Sequence, residues 1–173
     1  MKGIVIYSSK TGNTKNMAEF IYSEIKNLGD VEISDIKDLK GKEESLDKLD
    51  FVLLGAWIDR GTIEGKAMKL LKKLNNKKVG LFATLGAMPD SEHGHKVIKN
   101  LENLLEDRET LGQYICPGLV DPKMIEKLKG ITGVVVPKHV KEKMIETSLE
   151  SRNATEKELQ KAAEYFKNHL ENI

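Results

Sequence analysis

Six consecutive residues, Ser9, Lys10, Thr11, Gly12, Asn13 and Thr14, carry the most concentrated chemistry in the chain. They follow the apolar run Ile4-Val5-Ile6-Tyr7 and precede a helical pattern, so the spacing predicts a strand, a turn and a helix N-terminus. That arrangement makes a pocket for a phosphate. Free backbone N–H groups at the start of a helix point at the anion, and the helix dipole favours its charge. Ser9, Thr11 and Thr14 can add hydroxyl donors, while Gly12 lets the backbone approach closely. The segment lacks the Gly-x4-Gly-Lys-Ser/Thr of nucleoside triphosphatases and the Gly-x-Gly-x-x-Gly of dinucleotide folds. A helix cap that binds nothing needs only one such side chain, and here the whole segment is suited to anions.

Other chemistry-bearing residues are sparse. His93 and His95 stand two apart with no Cys or carboxylate set at metal-ligand spacing, so a zinc site is not expected. No Ser/His/Asp grouping can be read from the order of residues. The single Cys116 cannot form an internal disulfide, so a reducing cytoplasm is the expected home. At the end of a strand, Cys116 is expected as a buried small hydrophobe.

The charged fraction is 32% and the apolar fraction 39%, in the range of a soluble globular protein. With 28 basic residues against 27 acidic ones, the net charge of +1 gives no electrostatic case for nucleic acid or membrane. No apolar run approaches the roughly 18–20 residues of a membrane span, and no targeting region is expected before the first strand. The length points to one domain over residues 1–173, with a helical C-terminal extension from about residue 120. Asn153-Ala154-Thr155 matches a glycosylation sequon but reads as a helix start.

The elements that must position the first loop alternate along the chain. Met17, Phe20, Ile21, Ile25 and Leu28 recur at helical spacing, with Gly29 as the expected C′ stop. Val31-Glu32-Ile33 reads as a short strand, and Phe51 to Leu54 as a strand covered on both faces. A helix is predicted over 65–74, a buried strand over 78–83, a helix carrying Val97 to Leu105, and a fifth strand over 111–116. Pro122 can open a short helix, Val134 to Pro137 is too short to classify, and Thr155 with Glu158 reads as the capping box of a final helix. The face formed by Leu159, Ala162, Ala163, Phe166 and Leu170 is expected to close over the sheet. This order implies an α/β fold with a doubly wound five-stranded parallel sheet and helices on both faces. In such sheets ligands bind at carboxyl ends where strand order reverses, so the loops beginning at Ser8, Gly55 and Thr84 should converge.

The Ser-x-Thr-Gly-x-Thr spacing at the end of the first strand resembles the phosphate loop of flavodoxins, which holds the 5′-phosphate of FMN without needing a positive side chain. The resemblance implies strand order 2-1-3-4-5 and two ring-contacting loops. One holds Ala56, Trp57, Ile58, Asp59, Arg60 and Gly61, where an aromatic face can stack on the ring and Gly61 can permit a backbone flip on reduction. The alternative for Trp57 is a core or surface residue. Arg60 can stabilise reduced, anionic flavin or stand as a solvated surface group. The other loop holds Thr84, Leu85, Gly86, Met88 and His93; it lacks the usual flavodoxin aromatic, so Met88 or His93 covers the ring or one face stays open. These loops, together with Ile-Cys-Pro-Gly and the closing helix, are similar to those of a flavodoxin-like subgroup associated with bilirubin reductase.

The resemblance implies an FMN-binding electron carrier, fed by one redox enzyme and drained by another. An FMN-dependent reductase of a quinone or tetrapyrrole is the second reading, and a flavin-free interaction module the third. The near-neutral charge departs from the strongly acidic flavodoxins, which meet basic redox partners, and leaves the usual partner set open.

Overall fold

Runs that are apolar without interruption build the centre of the sheet. The computed structural model describes residues 1–41, 43–75, 78–130 and 136–172. Its parallel strands are β1 (Lys2–Ser8), β2 (Asp30–Asp35), β3 (Phe51–Asp59), β5 (Val79–Leu85) and β6 (Thr110–Pro117). They lie in the order β2-β1-β3-β5-β6, and a two-residue β4 (Thr62–Ile63) pairs antiparallel with β3. Counting the parallel strands alone gives the expected 2-1-3-4-5.

Strand residues alternate between two cores because successive side chains point to opposite faces. Ile4, Ile6, Val52, Leu54 and Leu81 face α2 (Gly65–Lys73) and α3 (Glu92–Asn103). Val5, Phe51, Leu53 and Phe82 face α1 (Asn13–Ile25) and α6 (Glu156–Glu171). The five expected residues of the closing helix, Leu159, Ala162, Ala163, Phe166 and Leu170, are all buried there. Both cores are therefore sealed, which is why the central strands carry no polar alternation.

Two glycines let aromatic rings lie across the strands. Gly3 pairs with Phe51, and a Cβ on Gly3 would stand 2.1 Å from that ring. Gly55 pairs with Phe82, and a Cβ there would stand 2.0 Å from the ring.

Several boundaries differ from expectation. The first helix ends at Ile25 with Lys26 as its cap, so Gly29 is not a C′ stop. A Cβ on Gly29 would instead meet the Met1 carbonyl oxygen at 2.2 Å, so close passage of the first residue accounts for it. Strand β3 continues to Asp59 because Trp57, Ile58 and Asp59 extend into the hairpin with β4, so its loop begins at Arg60 rather than Gly55. His93 sits in the first turn of α3 rather than in the preceding loop.

Beyond β6, α4 (Pro122–Gly130) opens at the proline, and Asp121 accepts from the Lys123 N–H at 2.9 Å. An unexpected helix, α5 (Lys138–Leu149), follows Pro137 and has no buried residue. Of the unclassified stretch, Val134 and Val135 lie outside the described residues. The α6 capping box is complete: the Glu158 N–H donates to Thr155 Oγ1 at 3.3 Å, and the Thr155 N–H donates to Glu158 Oε2 at 2.8 Å. Arg152 adds two hydrogen bonds of 2.8 Å to the same carboxylate.

Candidate functional site

The carboxyl end of β1 delivers the chain into a helix start that no side chain caps. Gly12 is the N-cap of α1, with φ of 92°, a left-handed backbone that glycine adopts at little cost. Its N–H donates to Ser9 Oγ at 3.1 Å, which folds the loop back on itself. The first intrahelical bond of this turn runs from Asn16 N–H to the Gly12 carbonyl. Helix geometry leaves the N–H groups of Asn13, Thr14 and Lys15 without an intrahelical acceptor. Among the described residues, side chains cap α2, α3 and α6 through Glu64, Ser91 and Thr155, whereas Gly12 has none to offer.

Three loops converge on this helix start, as the strand order requires. Thr14 is 1% exposed, and its Oγ1 lies 2.8 Å from Thr84 Oγ1 at the end of β5. Only one hydroxyl of such a pair donates to the other, so the pair keeps one further O–H donor. Ser8 Oγ donates to Glu64 Oε1 at 2.6 Å, joining β1 to the segment after β4. Asn13 Nδ2 donates to Thr11 Oγ1 at 3.0 Å and to the Leu119 carbonyl at 2.9 Å, which brings in the exit of β6. Gly118 completes that corner, with its N–H on the Leu85 carbonyl at 2.8 Å.

The loop after β3 is a tight hairpin. Asp59 pairs with Thr62 across Arg60 and Gly61, whose φ values of 51° and 85° mark a type I′ turn. Asp59 and Arg60 are exposed, and the Gly61 carbonyl accepts from Asn100 Nδ2 at 2.8 Å. Trp57 and Ile58 are half-buried, and the Lys10 ammonium lies over the Trp57 ring, 5.4 Å from its centre. That contact is a cation–π pair linking the first loop to the hairpin. Ala56 is fully buried in the core, so its side chain takes no part in the surface of the site.

The loop after β5 presents fewer side chains. Thr84 is buried beneath Thr14, and Leu85 belongs to the core. Gly86 lies under Val120, with room for no Cβ. Met88 is exposed, its carbonyl accepts from Ser91 Oγ at 2.6 Å, and His93 is exposed beside it on α3. Cys116 is 1% exposed, and burial first, then the Glu158 charge, pushes its thiol up to about 12. It is a packed small hydrophobe rather than a nucleophile.

Glu64 is the residue that sequence reasoning missed. It is buried, caps α2 through the N–H groups of Lys66 at 2.8 Å and Ala67 at 3.0 Å, and takes the Ser8 hydroxyl as well. Glutamate is not among the favoured cap residues, so the sequence carried no signal for it.

Comparison with known proteins now decides the family, since residues 4–167 match the model of the flavodoxin domain. The chain belongs to the flavodoxin domain family. Flavodoxins bind flavin, typically FMN, and pass electrons to redox partners. A flavodoxin-like domain-containing protein, BilS of Clostridioides difficile, is 31% identical over 172 residues, 98% of this chain and 97% of the relative. A flavodoxin from the domain Archaea superposes with a TM-score of 0.57 at 17% identity, covering 99% of this chain and 98% of that one. Two-electron reduced Megasphaera elsdenii flavodoxin gives a TM-score of 0.52 at 28% identity, covering 65% of this chain and 84% of that one. No described helix of this flavodoxin-family chain is long and apolar enough to cross a membrane.

Proposed function

We propose that this protein binds FMN and carries electrons between redox enzymes, with tetrapyrrole reduction as the chemistry it serves. The observation that carries the reading is the uncapped start of α1, set among Ser9, Thr11 and the Thr14–Thr84 hydroxyl pair. These groups fit a phosphate monoester: unpaired N–H donors, hydroxyls around them and no carboxylate in the loop. When bound, FMN supplies the redox chemistry, because no side chain here can store electrons.

The chain's own residues do the rest. The N–H groups of Asn13, Thr14 and Lys15 would hold the phosphate, and the Thr14–Thr84 bond ties the β5 loop to the same helix start. Glu64 holds Ser8, which fixes the strand end from which the loop departs. Trp57 is half-buried at the β3 end with Lys10 over its ring, and the β5 loop offers exposed Met88 and, at the start of α3, His93, with no Phe, Tyr or Trp. Gly61 retains the backbone freedom for a peptide flip, and the Asn100 amide that holds its carbonyl sets the resistance to that flip. The tetrapyrrole element rests on the subgroup resemblance of the loops and on the end-to-end similarity to BilS.

An anaerobic reductive titration of the FMN-loaded protein tests the reading. A carrier shows a stable one-electron stage in its visible spectrum and no turnover of NAD(P)H with bilirubin or a quinone unless a partner enzyme is added. Turnover by the protein alone would establish a self-contained reductase. A purified protein that fails to bind added FMN would overturn both.

A further inference from the structure

A groove of about 420 Å³ runs between α2 and the 3₁₀ turn Ile36–Leu39 that follows β2. Five lysines line it, Lys37, Lys40, Lys66, Lys69 and Lys73, over an apolar floor that includes Leu39 and Leu70. Among the described residues, no carboxylate lines the groove. The Lys37 ammonium lies 3.8 Å from the Asp35 carboxylate, and among the described residues the other four lysines make no ion pair. In a chain whose net charge is only +1, this is a local excess of positive charge, even beside Asp35 and Asp38 of the 3₁₀ turn.

The groove adjoins the site. Lys66 stands two residues beyond Glu64, whose carboxylate holds Ser8, and Ser8 directly precedes the phosphate loop. The 3₁₀ turn begins where β2 ends, with Asp35 opposite Tyr7 of β1 in register. A body seated in the groove therefore reaches the carboxyl edge of the sheet.

We propose that this groove is the docking surface for the acidic face of a redox partner protein, an inference that rests on the carrier reading. The lysine chemistry favours an extended acidic surface over a small anion. Lys66, Lys69 and Lys73 follow helical spacing along one face, spreading charge over about 10 Å at 1.5 Å per residue. Two of the first-turn N–H groups of α2, those of Lys66 and Ala67, are already taken by Glu64, and among the described residues no arginine lines the groove. Lysines act as point charges on flexible stems, which suits steering and docking, while the apolar floor supplies contact area.

The test uses an acidic [2Fe–2S] ferredoxin as probe, titrated by calorimetry into the protein with and without FMN. Binding is expected to weaken at least about tenfold between about 0.01 M and 0.15 M salt, as the Debye length shortens from about 30 to 8 Å. The exposed substitutions K40E, K69E and K73E together should lower affinity at low salt by at least about tenfold, with the matching Gln variants intermediate and FMN affinity unchanged. Salt-insensitive binding, or equal binding by the charge-reversed variant, overturns the proposal. Phosphatidylglycerol vesicles captured through the same lysines while the ferredoxin is ignored would also overturn it, by assigning the groove to a membrane. Ferredoxin binding by a protein that never takes up FMN would sink the carrier reading and leave the groove standing.

Discussion

Helices α1 and α6 lie against each other on one face of the sheet, tied by Lys167 to Glu24 at 3.5 Å, yet their N-termini are built in opposite ways. At α6 the donors are satisfied from within, by Thr155 and by a Glu158 carboxylate that Arg152 also grips. At α1 the N-cap is a left-handed glycine; Ser9 accepts from the Gly12 N–H, Thr11 from the Asn13 amide side chain, and Thr14 pairs with Thr84, so none of these hydroxyls caps the N–H groups of the first turn. One end is a stability device complete in itself. The other leaves its dipole and donors for something outside the chain. A helix start whose loop is tied to three strand ends but not capped has exchanged local stability for a place to put an anion.

The largest expected effect comes from giving α1 the cap it lacks. Gly12→Asp keeps a residue type that tolerates left-handed backbone and sets a carboxylate where the phosphate belongs. FMN affinity should fall at least about tenfold, about 1.4 kcal/mol, in a fluorescence titration, and further than in Gly12→Asn, which carries the same backbone strain without the charge. Unchanged affinity would place the phosphate elsewhere. The converse change, Thr155→Ala at α6, should cost about 1 kcal/mol of stability, roughly 2–4 °C in Tm for a domain of this size, and leave FMN affinity alone.

The smallest effect is a pH dependence confined to α6. The Arg152 hydrogen bonds, followed by those of Thr155, hold the Glu158 carboxyl down to about 2 against an ordinary 4.5. Because the folded value is depressed, the stabilisation is full above about 4.5 and is lost as pH falls towards 2. With 31% of the side chain exposed, solvent screens much of it. The Tm difference between wild type and Glu158→Gln should therefore be modest at neutral pH and close across that window. A constant difference would detach the cap's strength from its charge.

Much of this contrast was legible in the sequence because each half has a short local signature. Thr-x-x-Glu before an apolar stripe announces a capping box, and hydroxyls with a glycine after an apolar run announce an anion loop. The central strands were legible because sheets covered on both faces need unbroken apolar runs. The hairpin was not, since its turn puts Arg60 in a left-handed backbone where Asn or Asp is usual. Helix α5 was hidden because its apolar residues bury nothing and so follow no stripe. The role of Glu64 depends on three partners up to 56 positions away, and no local pattern encodes that.

The rings laid over Gly3 and Gly55 bear on how the sheet finds its pairing. Strands that are apolar on both faces have no alternation to tell them which residue belongs opposite which. Here each ring has one slot on its neighbour where no Cβ stands, Phe51 opposite Gly3 and Phe82 opposite Gly55. Sliding a strand by two residues, the smallest slip that keeps its faces, would set the Phe51 ring against Val5 or the Phe82 ring against Leu53. The two glycines thus act as keyways, and a misaligned sheet is rejected by shape before any cofactor arrives.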